Sequence, residues 1–229
     1  MFDLTFTIET RDGGTTPLTL AIDQAVIAGW TGRDPVARDK HIAELEAIGI
    51  ARPATTPIYY RCSARRLTQD DSIEVCAGNC SGEVEFVLVG WQGRTFAGLG
   101  SDHTDRKVEG YSVTVSKQMC DKPIASVLWE LEDVIDHWDR MILRSFAWIG
   151  GARVLYQEGT LDSMLPVAEL VRGAFGDKRL PDGCAMFGGT FPAKGGIRPA
   201  SRFEFELEDP VLKRAIKHGY DVMTLPVLG

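Results

Sequence analysis

The sequence predicts a β-rich α+β fold, in one large domain or two small ones, and three observations carry that expectation. Short alternating or apolar runs of β-formers recur along the chain, separated by Gly, Asp and Pro turn signals. A few stretches carry helix caps and helical periodicity, chiefly 34–49 and 160–176. No internal repeat, low-complexity tract or linker divides the 229 residues, which are enough to bury one substantial core.

Taken in order, residues 4–8 alternate as a strand, turn at Asp12-Gly13-Gly14, and return through 18–22 as an N-terminal hairpin within 1–24. Residues 25–30 form a short apolar strand. Asp34 then caps a helix with Pro35 in its first turn. Val36, Ile42, Leu45 and Ile48 are expected on its apolar face, and Gly49 stops it. Residues 52–57 are a rigid connector, 58–62 a strand, 67–71 a polar turn region and 73–75 a strand leading to Ser81-Gly82-Glu83-Val84-Glu85-Phe86. Residues 93–100 and 111–115 read as strands, which puts Lys117 just past a strand end. The segment 127–135 is amphipathic or irregular, and 138–145 and 152–157 are strands around the Gly150-Gly151 turn. Thr160 is expected to cap a helix carrying Leu161, Met164 and Leu165, and a helix from Ala168 ends at Gly176. Residues 183–187 form a buried strand running into a glycine-rich loop, 188–196. That loop lacks a phosphate-loop pattern but is able to bring backbone N–H groups to an anion. Residues 202–207 and 220–225 are the last strands.

Composition excludes several classes. The 44% hydrophobic and 25% charged residues are those of an ordinary globular protein. A net charge of −7, with no sustained basic run, argues against nucleic-acid binding. No run approaches a membrane span. Five cysteines, and a start without a basic or apolar leader, lead to the expectation of a cytoplasmic protein with free thiols. Cys76-x-x-x-Cys80 has no second Cys or His pair to complete a zinc site.

Glu83 and Glu85, two apart in a strand, share one face, with Val84 and Phe86 on the other. The run 93–100 is able to return Asp102 against them. Three converging carboxylates need a compensating charge, and an all-oxygen set suits Mg²⁺ or Mn²⁺. The alternative is a solvent-facing acidic edge. His41 and Glu44, three apart on a helix, have the spacing of a general base and its orienting carboxylate; the alternative is an exposed His–Glu pair.

In this order the motifs resemble the fumarylacetoacetate hydrolase superfamily in its single-domain form, over about 25–222, in a branch catalogued as a domain of unknown function. His41-x-x-Glu44 resembles the family's lid dyad, and Pro57-Ile58-Tyr59-Tyr60 its Pro-x-Phe-Phe strand. Glu83-Val84-Glu85 resembles its Glu-x-Glu metal pair, and Asp102-His103-Thr104-Asp105-Arg106 its Asp-x-Ser/Thr-x-Arg segment. Lys117 stands where the family has an active-site lysine. Gln157 with Thr160 and Met164 resembles its Gln-Asp-Gly…Thr-x-x-Met stretch, and Gly189-Thr190-Phe191-Pro192 its Gly-Thr-Pro loop. There are departures. Ala28-Gly29-Trp30-Thr31-Gly32 replaces Gly-x-Asn-Tyr, and an insertion, 33–40, separates it from His41. His103 replaces an apolar residue and is expected as an extra polar group in the pocket. Ser116-Lys117-Gln118 replaces Lys-Ser-Phe.

The resemblance implies a mixed β-roll with a few peripheral helices and a lid helix, one catalytic domain over 1–229, and a homodimer. It implies Mg²⁺ or Mn²⁺ on Glu83, Glu85 and Asp102. Catalytic roles fall to His41, Glu44 and Lys117, and substrate contacts to Tyr59, Arg106, Gln157, Gly189 and Thr190. The substrate would be a small 2-oxo acid or 1,3-dicarbonyl, with no nucleic-acid or membrane partner. Hydrolysis of a C–C bond is the first expectation, decarboxylation or tautomerisation the second. A non-catalytic ligand-binding protein on the same scaffold is the third.

Overall fold

The computed structural model describes residues 2–47 and 52–228, with the side chains of Phe2, His41 and Leu45 outside the description. The alternating runs pair into an eight-stranded sheet. Its order is Thr15–Ile22, Phe2–Glu9, Val127–Glu130, Arg94–Ser101, Val84–Trp91, Cys184–Phe187, Gln24–Gly29, Ile58–Cys62. A five-stranded sheet follows the order Ala152–Thr160, Ile142–Ile149, Arg202–Asp209, Arg214–Leu225, Ser72–Cys76. Most pairings are antiparallel. The pairs Phe2–Glu9 with Val127–Glu130, Cys184–Phe187 with Gln24–Gly29, and Arg214–Leu225 with Ser72–Cys76 are parallel. The fold is β-rich and mixed, as the sequence predicts.

Val84–Trp91 is buried on both faces, which explains its nearly continuous apolar run. Period-2 alternation sends Val84, Phe86 and Leu88 into a cluster shared with Leu143, Phe203, Phe205 and Tyr220 of the five-stranded sheet. Val87 and Val89 enter a second cluster with Phe6, Ile27, Phe96 and Phe187. Glu85 belongs to this second parity, so the carboxylate lies at the end of that cluster's face.

The N-terminal hairpin forms as expected, paired from Phe2–Ile22 to Glu9–Thr15. Asp34 caps the helix Pro35–Ala47 by accepting from Val36 N at 2.8 Å. Arg33, just before this helix, pairs both Nη atoms with Asp139 and donates from Nε to Met164 O at 2.8 Å. The expected apolar face of this helix is only partly used, since Val36 is 76% exposed while Ile42 is buried. Ile48 and the expected stop at Gly49 lie outside the described residues.

Other expectations are corrected. Residues 111–115 are not a strand; Val113–Met119 is a helix, with Ser112 Oγ accepting from Val115 N at 3.4 Å. Tyr111 is 85% exposed, so the alternation had no sheet to join, and the serine cap decided the structure. Lys117 therefore sits on a helix. The segment 127–135 divides into the strand Val127–Glu130 and the helical turn Leu131–Val134, with Ile135 opening the next turn. Trp138 belongs to that turn, Ile135–Arg140, and its strand begins only at Ile142. After Thr160 there is a short turn, Leu161–Ser163, rather than a helix. Helix Val167–Phe175 ends at Gly176 as expected. Among the described residues no helix is long and apolar enough to cross a membrane.

Candidate metal centre

Glu83 immediately precedes the strand Val84–Trp91, and Asp102 immediately follows its antiparallel partner Arg94–Ser101. The register pairs Val84 with Ser101 and Glu85 with Gly100, and Asp102 N donates to Glu83 O at 2.9 Å. One oxygen from each of Glu83, Glu85 and Asp102 then lies within 4.8 Å of the others. Glu85 and Asp102 are buried, while the Glu83 side chain keeps 20% exposure.

Cations surround this cluster. Lys117 Nζ contacts Asp102 Oδ2 and lies 3.9 Å from Glu83 Oε2. Lys122 Nζ lies 3.2 Å from Asp102 Oδ1, as an ion pair not aligned for a hydrogen bond. Arg106 pairs with Glu83 Oε1 at 3.1 Å and Glu109 at 3.0 Å, and donates to Ser81 Oγ at 2.7 Å. Burial pushes the Glu85 carboxyl well above its usual range, and Asp102 adds to this. For Asp102, burial acts in the same direction, but Lys117 and Lys122 outweigh it and hold the group at about 2. For Lys117, desolvation is outweighed by Asp102, Glu83 and Glu85, so its pKa rises.

The residues fit a divalent cation. The donors are all carboxylate oxygens, the chemistry of Mg²⁺ or Mn²⁺ sites. Asp102 Oδ1 is fully buried and makes no hydrogen bond, which leaves a lone pair to give.

The glycine-rich loop serves the cluster directly. Gly189 N donates to Glu85 Oε2 at 2.6 Å, so the N–H expected for an external anion holds the protein's own carboxylate. Gly189 has φ +105°, and a Cβ there would lie 1.9 Å from Thr31 Oγ1, so no other residue fits. Thr190 Oγ1 donates to Val84 O at 2.7 Å. Gln157 uses its whole amide: Oε1 accepts from Val84 N and Ser145 Oγ, and Nε2 donates to Thr190 Oγ1 and Phe191 O.

The structure brings Lys117, Arg106 and Gly189 onto the three carboxylates, whereas Gln157 and Thr190 bind the Val84 backbone between Glu83 and Glu85. It does not bring Tyr59, whose hydroxyl packs where a Cβ on Gly173 would lie 2.0 Å away. Strand alternation turns Tyr60 toward the site instead, with Lys117 Nζ 5.6 Å from its ring centre. Glu44 is exposed, 3.9 Å from Lys40, and lies outside the carboxylate group. The side chain of its expected partner, His41, lies outside the described residues. His103 is not a pocket group. It is fully buried, its Nδ1 is 2.8 Å from Tyr220 Oη, and its ring meets Phe203 edge-on. Sequence reasoning missed Lys122 and Tyr60. Their only signals were a lysine leading the apolar run Pro123-Ile124-Ala125 and the second residue of a Tyr-Tyr pair.

Residues 28–220 match a family model described as a protein of unknown function (DUF2848). No curated protein matches the chain in sequence. Among solved structures, Cg1458 with inhibitor has a TM-score of 0.68 at 15% identity, covering 97% of this chain and 90% of that one. 2-Keto-3-deoxy-D-arabinonate dehydratase complexed with magnesium and 2,5-dioxopentanoate has 0.64 at 15%, covering 90% and 75%. Yeast ynq8, a fumarylacetoacetate hydrolase family protein, has 0.63 at 17%, covering 91% and 96%. At these identities the likeness establishes a shared fold.

Proposed function

This chain belongs to the DUF2848 family, with a fumarylacetoacetate hydrolase-like fold, and on that premise we propose a divalent-metal-dependent enzyme that hydrolyses a C–C bond. Its substrate would be a small 2-oxo acid or 1,3-dicarbonyl. The observation that carries the reading is the convergence of Glu83, Glu85 and Asp102 within 4.8 Å, with the Lys117 ammonium on Asp102. A structural neighbour solved with magnesium and 2,5-dioxopentanoate adds support for metal and dicarbonyl chemistry.

Glu83, Glu85 and Asp102 would hold the cation, which would supply Lewis-acid polarisation to the oxygens of such a head group. Lys117, kept cationic by its three carboxylate neighbours, would stabilise negative charge developing on the enolate oxygen. Gly189 and Gln157 would fix Glu85 and its strand, a positioning role rather than the direct substrate contact that the resemblance implies. Arg106 would orient Glu83, and Tyr60 would wall the site beside Lys117. In the hydrolase, His41 would take a proton from water while Glu44 orients the imidazole. A decarboxylase or tautomerase is the second reading. It is favoured by the Lys117 geometry, because enolate stabilisation needs no water-activating base.

One experiment separates the two. Each variant is incubated with a cleavable 2-oxo or 1,3-dicarbonyl substrate in deuterated water, and exchange at the carbon beside the carbonyl and product release are followed separately. His41→Ala and Glu44→Gln are expected to keep exchange and lose cleavage. Lys117→Met is expected to lose both by about a hundredfold or more. Undiminished cleavage in the first two would reject the hydrolase and leave the second reading.

A further inference from the structure

A second buried lysine stands on the carboxylate cluster, outside the set that the resemblance implies. Lys122 opens the two-residue strand Lys122–Pro123, which pairs with Leu67–Thr68, and is fully buried. Its Nζ lies 3.2 Å from Asp102 Oδ1 and donates to the His103 carbonyl at 2.5 Å. Asp102 therefore has an ammonium group at each oxygen, Lys117 on Oδ2 and Lys122 beside Oδ1. Counting the cluster with the carboxylate that shares its arginine, Glu83, Glu85, Asp102 and Glu109 face Lys117, Lys122 and Arg106, and the formal sum is −1. Charges this close interact strongly away from water. A divalent ion entering here meets carboxylates whose charge is already largely offset, and the oxygen that Asp102 has to offer is the one Lys122 faces.

Taking the cluster as the divalent-metal site proposed above, we propose that Lys122 is a built-in counter-ion that competes with the metal for Asp102. It lowers the affinity of the centre and holds Asp102 in place when no ion is bound. Metal occupancy then follows the supply of free ion instead of being permanent.

Two variants separate charge from hydrogen bonding. Lys122→Gln keeps a donor for the His103 carbonyl and removes the charge, while Lys122→Met removes both. Mn²⁺ is titrated calorimetrically into metal-stripped wild type and each variant, and Tm is followed with and without the ion. Each variant is expected to bind Mn²⁺ about tenfold more tightly, about 1.4 kcal/mol. Each should also melt lower without ion and gain more Tm on its addition. Unchanged or weaker binding by Lys122→Gln overturns the proposal and makes Lys122 a structural donor. If Lys122→Met is unfolded in ion-free buffer, recovery of native circular dichroism on adding Mn²⁺ supports the proposal, and no recovery counts against it. Glu85→Ala serves as the reference. If it abolishes wild-type binding while Lys122→Gln is unchanged, only the Lys122 proposal falls. If wild type and Lys122→Gln both bind no Mn²⁺, the metal reading falls with it.

Discussion

His103 shows how far one side chain can depart from its motif. The Asp-x-Thr-x-Arg spacing places it beside Asp102, yet its ring turns into the aromatic layer of Phe203 and Tyr220. Burial, with Lys122 and Arg106 nearby, holds its pKa at about 3, against an ordinary 6.5. The folded protein therefore keeps His103 neutral while the unfolded chain takes up a proton below about pH 6.5, so stability falls as pH falls through that window toward 3. The slope is about 1.4 kcal/mol per pH unit once the unfolded histidine is fully charged. His103→Phe should remove this dependence. In urea titrations between about pH 5.5 and 4 the variant should gain on wild type at that rate. Parallel stability curves for the two proteins would contradict the assignment. The three carboxylates were legible because their spacing is a chemical pattern. Lys122 was not, because its partner Asp102 is brought to it only by the fold.

At the scale of elements, the loop 188–196 and the helix Val113–Met119 do the positioning. The β-branched residues Val113, Thr114 and Val115 give this helix the look of a strand and mask its serine cap, and propensity yields to such local and tertiary context. The glycine-rich loop was legible as an anion cradle, but its anion proved to be Glu85. At Gly189, a methyl group would collide with Thr31 and the positive φ would be strained. Gly189→Ala should therefore move the peptide, take its N–H from Glu85, and cost about 1–3 kcal/mol of stability. Mn²⁺ affinity should fall in parallel when measured calorimetrically beside a thermal melt. Wild-type stability together with wild-type affinity would show that the loop does not hold Glu85.

Across the whole molecule, the centre depends on both sheets at once. Glu83 N donates to Ser101 Oγ at 3.2 Å, and Ser101 Oγ lies 2.9 Å from Tyr220 Oη in the five-stranded sheet. Gln157, also from that sheet, accepts from Val84 N at 3.1 Å. The strand inventory was largely readable from alternation and turns. The sheet order was not, because pairings such as Phe2–Glu9 with Val127–Glu130 join segments remote in sequence, and no local pattern specifies them. The ordered motifs supplied that architecture through resemblance. The central claim is that Glu83, Glu85 and Asp102 form a divalent-metal centre, and calorimetric titration of the metal-stripped protein with Mg²⁺ and Mn²⁺ tests it most directly. Wild type should bind, and Glu83→Ala, Glu85→Ala and Asp102→Ala should each lose binding while keeping native circular dichroism. Unchanged binding in any two of the three variants would contradict it.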